Sequence, residues 1–302
     1  MQCPSKPLCP LPRARPWCAW AALCLGLLCG AAATASELPP PQVLRSDSGR
    51  FVAANSEFTL LHEMGHLLIA ELDLPVLGRE EDAADQLGFI SLFISYGRQH
   101  DADFYAKLLD IADYWRLEWR RTKPEHEEVH AWASHGLDAQ RFYNLACLIY
   151  GSDPDQLEWV PKVTELPVER ALYCDQEYAQ VRKALAWVEQ QHGRTAGEPL
   201  RHRIQVIYDQ PSLRLEDGQR LLEQIRRSGE VEAIAARASE TYRLPRDLVL
   251  RLSNCGAPDA WYSRTGGELV LCYERLAYFQ TLAAQLPHLR QAPRPALCQA
   301  CR

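Results

Sequence analysis

His62-Glu63-Met64-Gly65-His66 is the stretch of this chain best suited to chemistry. Two histidines four apart on a helix share one face, so both imidazoles can bind a single metal ion. Glu63, beside them, is placed to take a proton from a water at that metal. A second formal match, His126-Glu127-Glu128-Val129-His130, shows that the spacing alone is not selective. The flanks separate the two. The first match lies in the apolar run Leu60 to Ala70, which reads as a helix buried in a core, and Gly65 would let another element approach closely. The second follows Lys123-Pro124-Glu125 and is rich in acids, which reads as a solvated helix start.

The His-Glu-x-x-His spacing is that of zinc metalloproteases. Catalytic zinc usually takes three protein ligands and keeps a fourth position open. Leu74-Pro75-Val76-Leu77-Gly78 breaks the chain, and a second helix opens at Arg79-Glu80-Glu81-Asp82-Ala83-Ala84-Asp85. Acids in a first turn suit the positive end of a helix. Several carboxylates facing a buried histidine helix would nevertheless repel one another unless a cation sat between them. Glu81 and Asp85 are four apart and match the Glu-x-x-x-Asp element of gluzincin proteases. There the Glu binds zinc and the Asp hydrogen-bonds a ligand histidine, fixing its tautomer. The expected ligands are His62, His66 and Glu81, with Asp85 as the orienting carboxylate and Glu63 as general base. Glu80 and Asp82 are rivals, because a one-residue error in helix phase would exchange them. Nothing comparable follows His130, since Glu165 is followed four residues on by Glu169.

A wider resemblance rests on Phe51-Val-Ala-Ala-Asn55, Leu61-His-Glu-Met-Gly-His-Leu-Leu-Ile69, Leu74-Pro-Val-Leu-Gly-Arg-Glu-Glu-Asp-Ala-Ala-Asp85 and His135-Gly-Leu-Asp-Ala-Gln-Arg-Phe-Tyr-Asn144. It continues in Cys147-Leu-Ile-Tyr-Gly-Ser-Asp-Pro154, Cys255-Gly-Ala-Pro-Asp-Ala-Trp-Tyr262 and Leu271-Cys-Tyr-Glu274. These segments resemble a bacterial family of metallopeptidases catalogued as domain of unknown function 4344. The likeness covers nearly everything after residue 45 and implies a zinc-peptidase-like site without supplying a substrate. His135 heads the family-like His-Gly-Leu-Asp element and is the expected donor to a tetrahedral oxyanion. Tyr262 and Arg141 are alternatives, although Arg141 and Asp138 could simply pair across one helical turn.

The setting follows from composition. Lys6, Arg13 and Arg15, the apolar run Trp17 to Gly30 and Ala33-Thr34-Ala35 before Ser36 read as a secretory signal over residues 1–35. The expected location is therefore periplasmic or extracellular. An uncleaved anchor over Pro16 to Ala35 is the rival reading. No other stretch is apolar and long enough to span a membrane. Of 11 cysteines, those at 147, 174, 255, 272, 298 and 301 follow the presequence. An even set suits disulfides in an oxidising compartment. Sequence proximity pairs Cys147 with Cys174 and Cys255 with Cys272. Cys298 and Cys301, in a Pro-rich tail, would form a small loop or a redox pair. A net charge of −6 without a basic stripe argues against nucleic acid as a partner. There is no Gly-rich phosphate loop and no internal repeat.

The expected fold is α+β, mainly helical: a zincin-like core with a small antiparallel sheet from the C-terminal part, circularly permuted. Apolar periodicity predicts helices near 56–72, 80–97, 101–121, 138–150, 170–191 and 216–240. It predicts strands at 203–209, 248–253 and 268–273, with Gly266-Gly267 as the turn region. Residues 45–192 would be the metallopeptidase core, 200–290 would complete the same domain, and 291–302 would be a tail. Trp115 and Trp119, four apart, read as core packing. Asp259-Ala-Trp-Tyr-Ser-Arg-Thr-Gly-Gly-Glu-Leu-Val-Leu271 resembles the stretch that forms the sheet edge above zinc in several zinc protease families. It comes here after the histidine helix instead of before it. Strand 268–273 would then be the edge that holds an extended peptide. The sequence thus points to an exported zinc peptidase acting on peptide or protein. A zinc-bound envelope protein that binds a partner without cleaving it is the alternative reading, and a metal-free helical domain is a third.

Overall fold

Asp47 starts the helix on which the site is built. Its side chain accepts a hydrogen bond from Arg50 N at 3.0 Å, and α1 then runs Ser48–Glu71. The helix therefore begins eight residues before the predicted start at 56. Phe51, Ala54, Phe58, Leu60, Leu67 and Leu68 are buried on all its sides. A helix apolar all round belongs in the centre of a fold, and α1 packs against two further helices, two C-terminal helices and the sheet. The computed structural model describes residues 47–97, 100–121 and 132–291. The presequence, the second histidine pair at 126–130, Cys298 and Cys301 lie outside the described residues.

After α1 come α2 (Glu80–Tyr96), α3 (Ala102–Arg121) and α4 (Asp138–Ser152). The short α5 (Val160–Thr164) and α6 (Val168–Ala171) lead into α7 (Cys174–His192). These positions match the apolar periodicity to within a few residues. Strand β1 (Ile204–Tyr208) follows, then α8 (Gly218–Ser228) and α9 (Glu230–Thr241). The predicted helix over 216–240 is thus two helices, broken at Gly229, whose φ of 67° no helix tolerates. Strands β2 (Leu248–Ser253), β3 (Ala260–Ser263) and β4 (Glu268–Cys272) precede α10 (Tyr273–Ala283) and α11 (Leu286–Gln291).

The sheet corrects two expectations. Its order is β1-β2-β4-β3, with β1–β2 and β2–β4 parallel and only β3–β4 antiparallel. It is a mixed sheet, not an antiparallel one. Residues 268–272 form an interior strand, buried at Leu269, Val270, Leu271 and Cys272, and the edges are β1 and β3. The physical reason is the tight β3–β4 hairpin across Gly266-Gly267: it inserts β4 between β2 and β3 and forces β2 and β4 into the same direction.

Both disulfides inferred from proximity are present. Cys147–Cys174 ties α4 to the start of α7, and Cys255–Cys272 ties the loop after β2 to the end of β4. A buried ion-pair network joins α1, α3 and α11. Fully buried Asp110 accepts from Arg50 Nε at 2.6 Å and Arg290 Nη2 at 2.6 Å, while Arg290 Nε reaches Asp113 at 2.9 Å. Burial pushes the Asp110 carboxyl up, and the two guanidinium groups oppose that rise.

The crossing of α1 and α2 matters most for function. A Cβ on Gly65 would sit 3.0 Å from Ala84 Cα and 3.1 Å from Ala84 O; a Cβ on Gly88 would sit 3.0 Å from His62 N. Backbone meets backbone at both contacts, so neither neighbour can yield by rotating a side chain. Gly65→Ala should destabilise the fold by about 1–3 kcal/mol, as overpacking does. Urea unfolding measures this, and an unchanged midpoint would mean that the two helices have slack at the crossing.

Candidate metal centre

Because α1 and α2 cross at glycines, the histidine face of one helix lies directly against the acidic first turn of the other. His62 Nε2 and His66 Nε2 are 3.2 Å apart. Glu81 Oε2 lies 3.3 Å from the first and 3.2 Å from the second. These three atoms form a nearly equilateral triangle. An ion held tetrahedrally at about 2.0–2.1 Å separates its ligand atoms by about 3.3 Å. The triangle therefore has the edge a zinc ion requires, made of the nitrogen and oxygen donors zinc accepts. His135 Nε2 approaches the same Glu81 oxygen at 2.8 Å, and His62, Glu81 and His135 together form a group able to hold a metal.

The outward nitrogens are equally committed. His62 Nδ1 is 2.8 Å from Asp85 Oδ1, and His66 Nδ1 is 2.9 Å from Glu80 Oε1. Each carboxylate accepts from Nδ1–H, and Nε2 is turned inward toward Glu81. Asp85 thus contacts His62, and Glu80, a rival ligand in the sequence reading, contacts His66, while Asp82 accepts from Arg79 Nε at 2.9 Å.

Each carboxylate is itself held by an arginine. Arg264, on the β3–β4 hairpin, donates to Glu80 Oε2 at 2.7 Å. Arg141, on α4, donates to both oxygens of Asp85 at 2.8 and 2.5 Å. Arg141 does not line the open pocket around His62 and His66. Tyr262 does line the pocket, but its hydroxyl donates to Glu71 Oε1 at 2.5 Å. Burial and that carboxylate push the Tyr262 hydroxyl up to about 12.

The site is an open pocket of about 660 Å³. Its walls include Glu63, Ser134 and His135 on one side and Asp259, Ala260, Trp261 and Arg264 from the edge strand and its turns on the other. Glu63 is 8% exposed, and burial raises its carboxyl pKa, while the charges of His62 and His66 pull it down and Glu81 pushes it up. That direction brings a carboxylate closer to the range where it works as a base. Burial disfavours the charged form of His62, yet Asp85 and Glu81 outweigh it and raise the imidazole to about 9. His66 is raised in the same way, burial being outweighed by Glu81 and Glu80. Burial acts to raise Glu81, but hydrogen bonds from His135, His62 and His66 hold its carboxyl far below the usual range.

Comparison with known proteins now decides the family. A family model described as "Putative metallopeptidase" (DUF4344) matches residues 23–189 and 208–295. The chain belongs to this family. No curated protein and no solved structure matches it. Among the described residues, no helix is long and apolar enough to cross a membrane.

Two outcomes are expected. Zinc content, measured by mass spectrometry of the purified protein, should be near one per chain. It should fall to background in His62→Ala and persist in Glu63→Gln. A metal held by His62 would compete with a proton on its imidazole, raised to about 9. Apparent zinc affinity should therefore rise by about tenfold per pH unit between pH 7 and 9 for each proton released. Chelator competition across that range checks the slope, and a flat profile would contradict a protonated metal-free site.

Proposed function

We propose that this chain is an exported zinc-dependent peptidase that hydrolyses peptide bonds. The observation that carries the reading is the convergence of His62 Nε2, His66 Nε2 and Glu81 Oε2 at zinc-like spacing in an open pocket that also holds Glu63. A zinc ion held there would supply a Lewis acid toward the scissile carbonyl and lower the pKa of a bound water. Glu63 takes the proton of the attacking water and returns it to the leaving amine. His135 is the donor to the developing oxyanion. It reaches over the pocket from the loop before α4, 53% exposed and within hydrogen-bond range of Glu81.

Edge strand β3 supplies a surface for an extended substrate, and with it the arrangement is zincin-like, with the sheet following the histidine helix in chain order. Asp259 O and Ser263 O accept hydrogen bonds from Cys272 N and Gly267 N. In an antiparallel pair the alternate residues turn their backbone groups the other way, so the Tyr262 N–H and C=O and the Ala260 C=O face away from β4. A peptide could pair with them as an added strand. Two disulfides support maturation in an oxidising compartment.

The test is cleavage of a mixed peptide library by zinc-loaded protein, read by mass spectrometry. Wild type should cut, and Glu63→Gln should lose at least about 100-fold in kcat while keeping its zinc. A zinc-loaded wild type that cuts nothing would reject the peptidase reading in favour of a binding module. His135→Ala should keep its zinc and lose about 100- to 1,000-fold in kcat. Loss of zinc from that variant would make His135 a ligand instead.

A further inference from the structure

Asp85 makes three short contacts, and only one of them is with His62. The other two come from Arg141 Nε at 2.8 Å and Nη2 at 2.5 Å, a two-pronged pair that fits the planar guanidinium to the planar carboxylate. The Arg141 guanidinium lies 3.5 Å from the centroid of the Trp115 ring, on α3. Its side chain is 8% exposed and that of Asp85 is 14% exposed. Asp85, Arg141 and Trp115 do not line the pocket where substrate would lie. His66 has the same plan with a different exposure: its carboxylate, Glu80, is 36% exposed and the partner arginine, Arg264, is 62% exposed.

The geometry points to Arg141 as a positioning residue for the metal: stacked on Trp115, it locks the Asp85 carboxylate, which holds His62 Nδ1–H and aims His62 Nε2 at the ion. This rests on the zinc site proposed above. A carboxylate that hydrogen-bonds a ligand histidine typically tunes metal affinity 10- to 100-fold. Arg141 adds rigidity to that carboxylate in two ways. The guanidinium fixes both oxygens at once, so Asp85 cannot rotate away from His62. The Trp115 face fixes the guanidinium, which no lysine would match in shape or stacking. Arg264 should matter much less to the metal, because water can replace an exposed guanidinium at an exposed carboxylate.

The test compares zinc affinity, by chelator competition on the full chain, in wild type, Arg141→Met, Arg141→Lys, Asp85→Asn, the Arg141→Met/Asp85→Asn double variant and Arg264→Met. Circular dichroism and thermal unfolding report the fold separately. Arg141→Met and Asp85→Asn should each weaken zinc by about 10- to 100-fold. The double variant should be no weaker than Asp85→Asn alone, because Arg141 acts only through Asp85. Arg141→Lys should fall between wild type and Arg141→Met, and Arg264→Met should stay within about threefold of wild type. Unchanged affinity in Arg141→Met, or losses that multiply in the double variant, would overturn the inference while leaving the zinc site intact. A wild type that binds no zinc would overturn both. Should the Arg141 variants not fold, the unsubstituted protein decides: zinc should shift the ¹⁵N resonance of Arg141 Nε, which reports the Asp85 carboxylate, and no shift would overturn the inference.

Discussion

The site depends on how closely α1 and α2 approach. Gly65 against Ala84 and Gly88 against the His62 backbone leave no room for side chains between the two helices. The separation of backbones is therefore set by van der Waals contact, the stiffest constraint available in a protein interior. At that separation a histidine on one helix and a carboxylate on the next reach the same point without stretching either side chain. A wider crossing would leave Glu81 too far from both imidazoles to share an ion with them.

Charge is the second constraint. Glu63, Glu80, Glu81 and Asp85 gather around two imidazoles in a partly buried volume. Without a metal, protons on the histidines offset the carboxylates, which is why His62 is raised to about 9 and Glu81 is held low. A dication at the same centre would take over that role. Arg141 and Arg264 pair with the outer carboxylates, Asp85 and Glu80. The positive N-terminal end of α2 favours Glu80 and Glu81 in its first turn, so the helix end and a metal at the proposed site would draw on the same acids.

What could be read from the sequence was local. The His62–His66 pair and the Glu81–Asp85 pair each follow from the four-residue repeat of a helix, and both converge in the structure. The disulfides were legible because each joins cysteines close in sequence. Glu80 was harder: helix phase alone made it a rival of Glu81, whereas the two adjacent acids serve opposite nitrogens of His66. The Asp85–Arg141 bond spans 56 residues and left no periodic trace. Strand positions were visible in the apolar runs of Leu248–Ser253 and Glu268–Cys272. Their direction was not, because the short β3 (Ala260–Ser263) between them decides it. Gly229 was visible as a residue, but a glycine in a helical pattern breaks it only when tertiary packing turns the chain there.

The most direct measurement is zinc X-ray absorption on the oxidised, zinc-loaded protein. The expected spectrum shows a shell of nitrogen and oxygen at about 2.0–2.1 Å, with the outer scattering of at least two imidazoles and no sulfur. A sulfur shell at about 2.3 Å, or fewer than two imidazoles, would place the metal elsewhere and contradict a centre built from His62, His66 and Glu81.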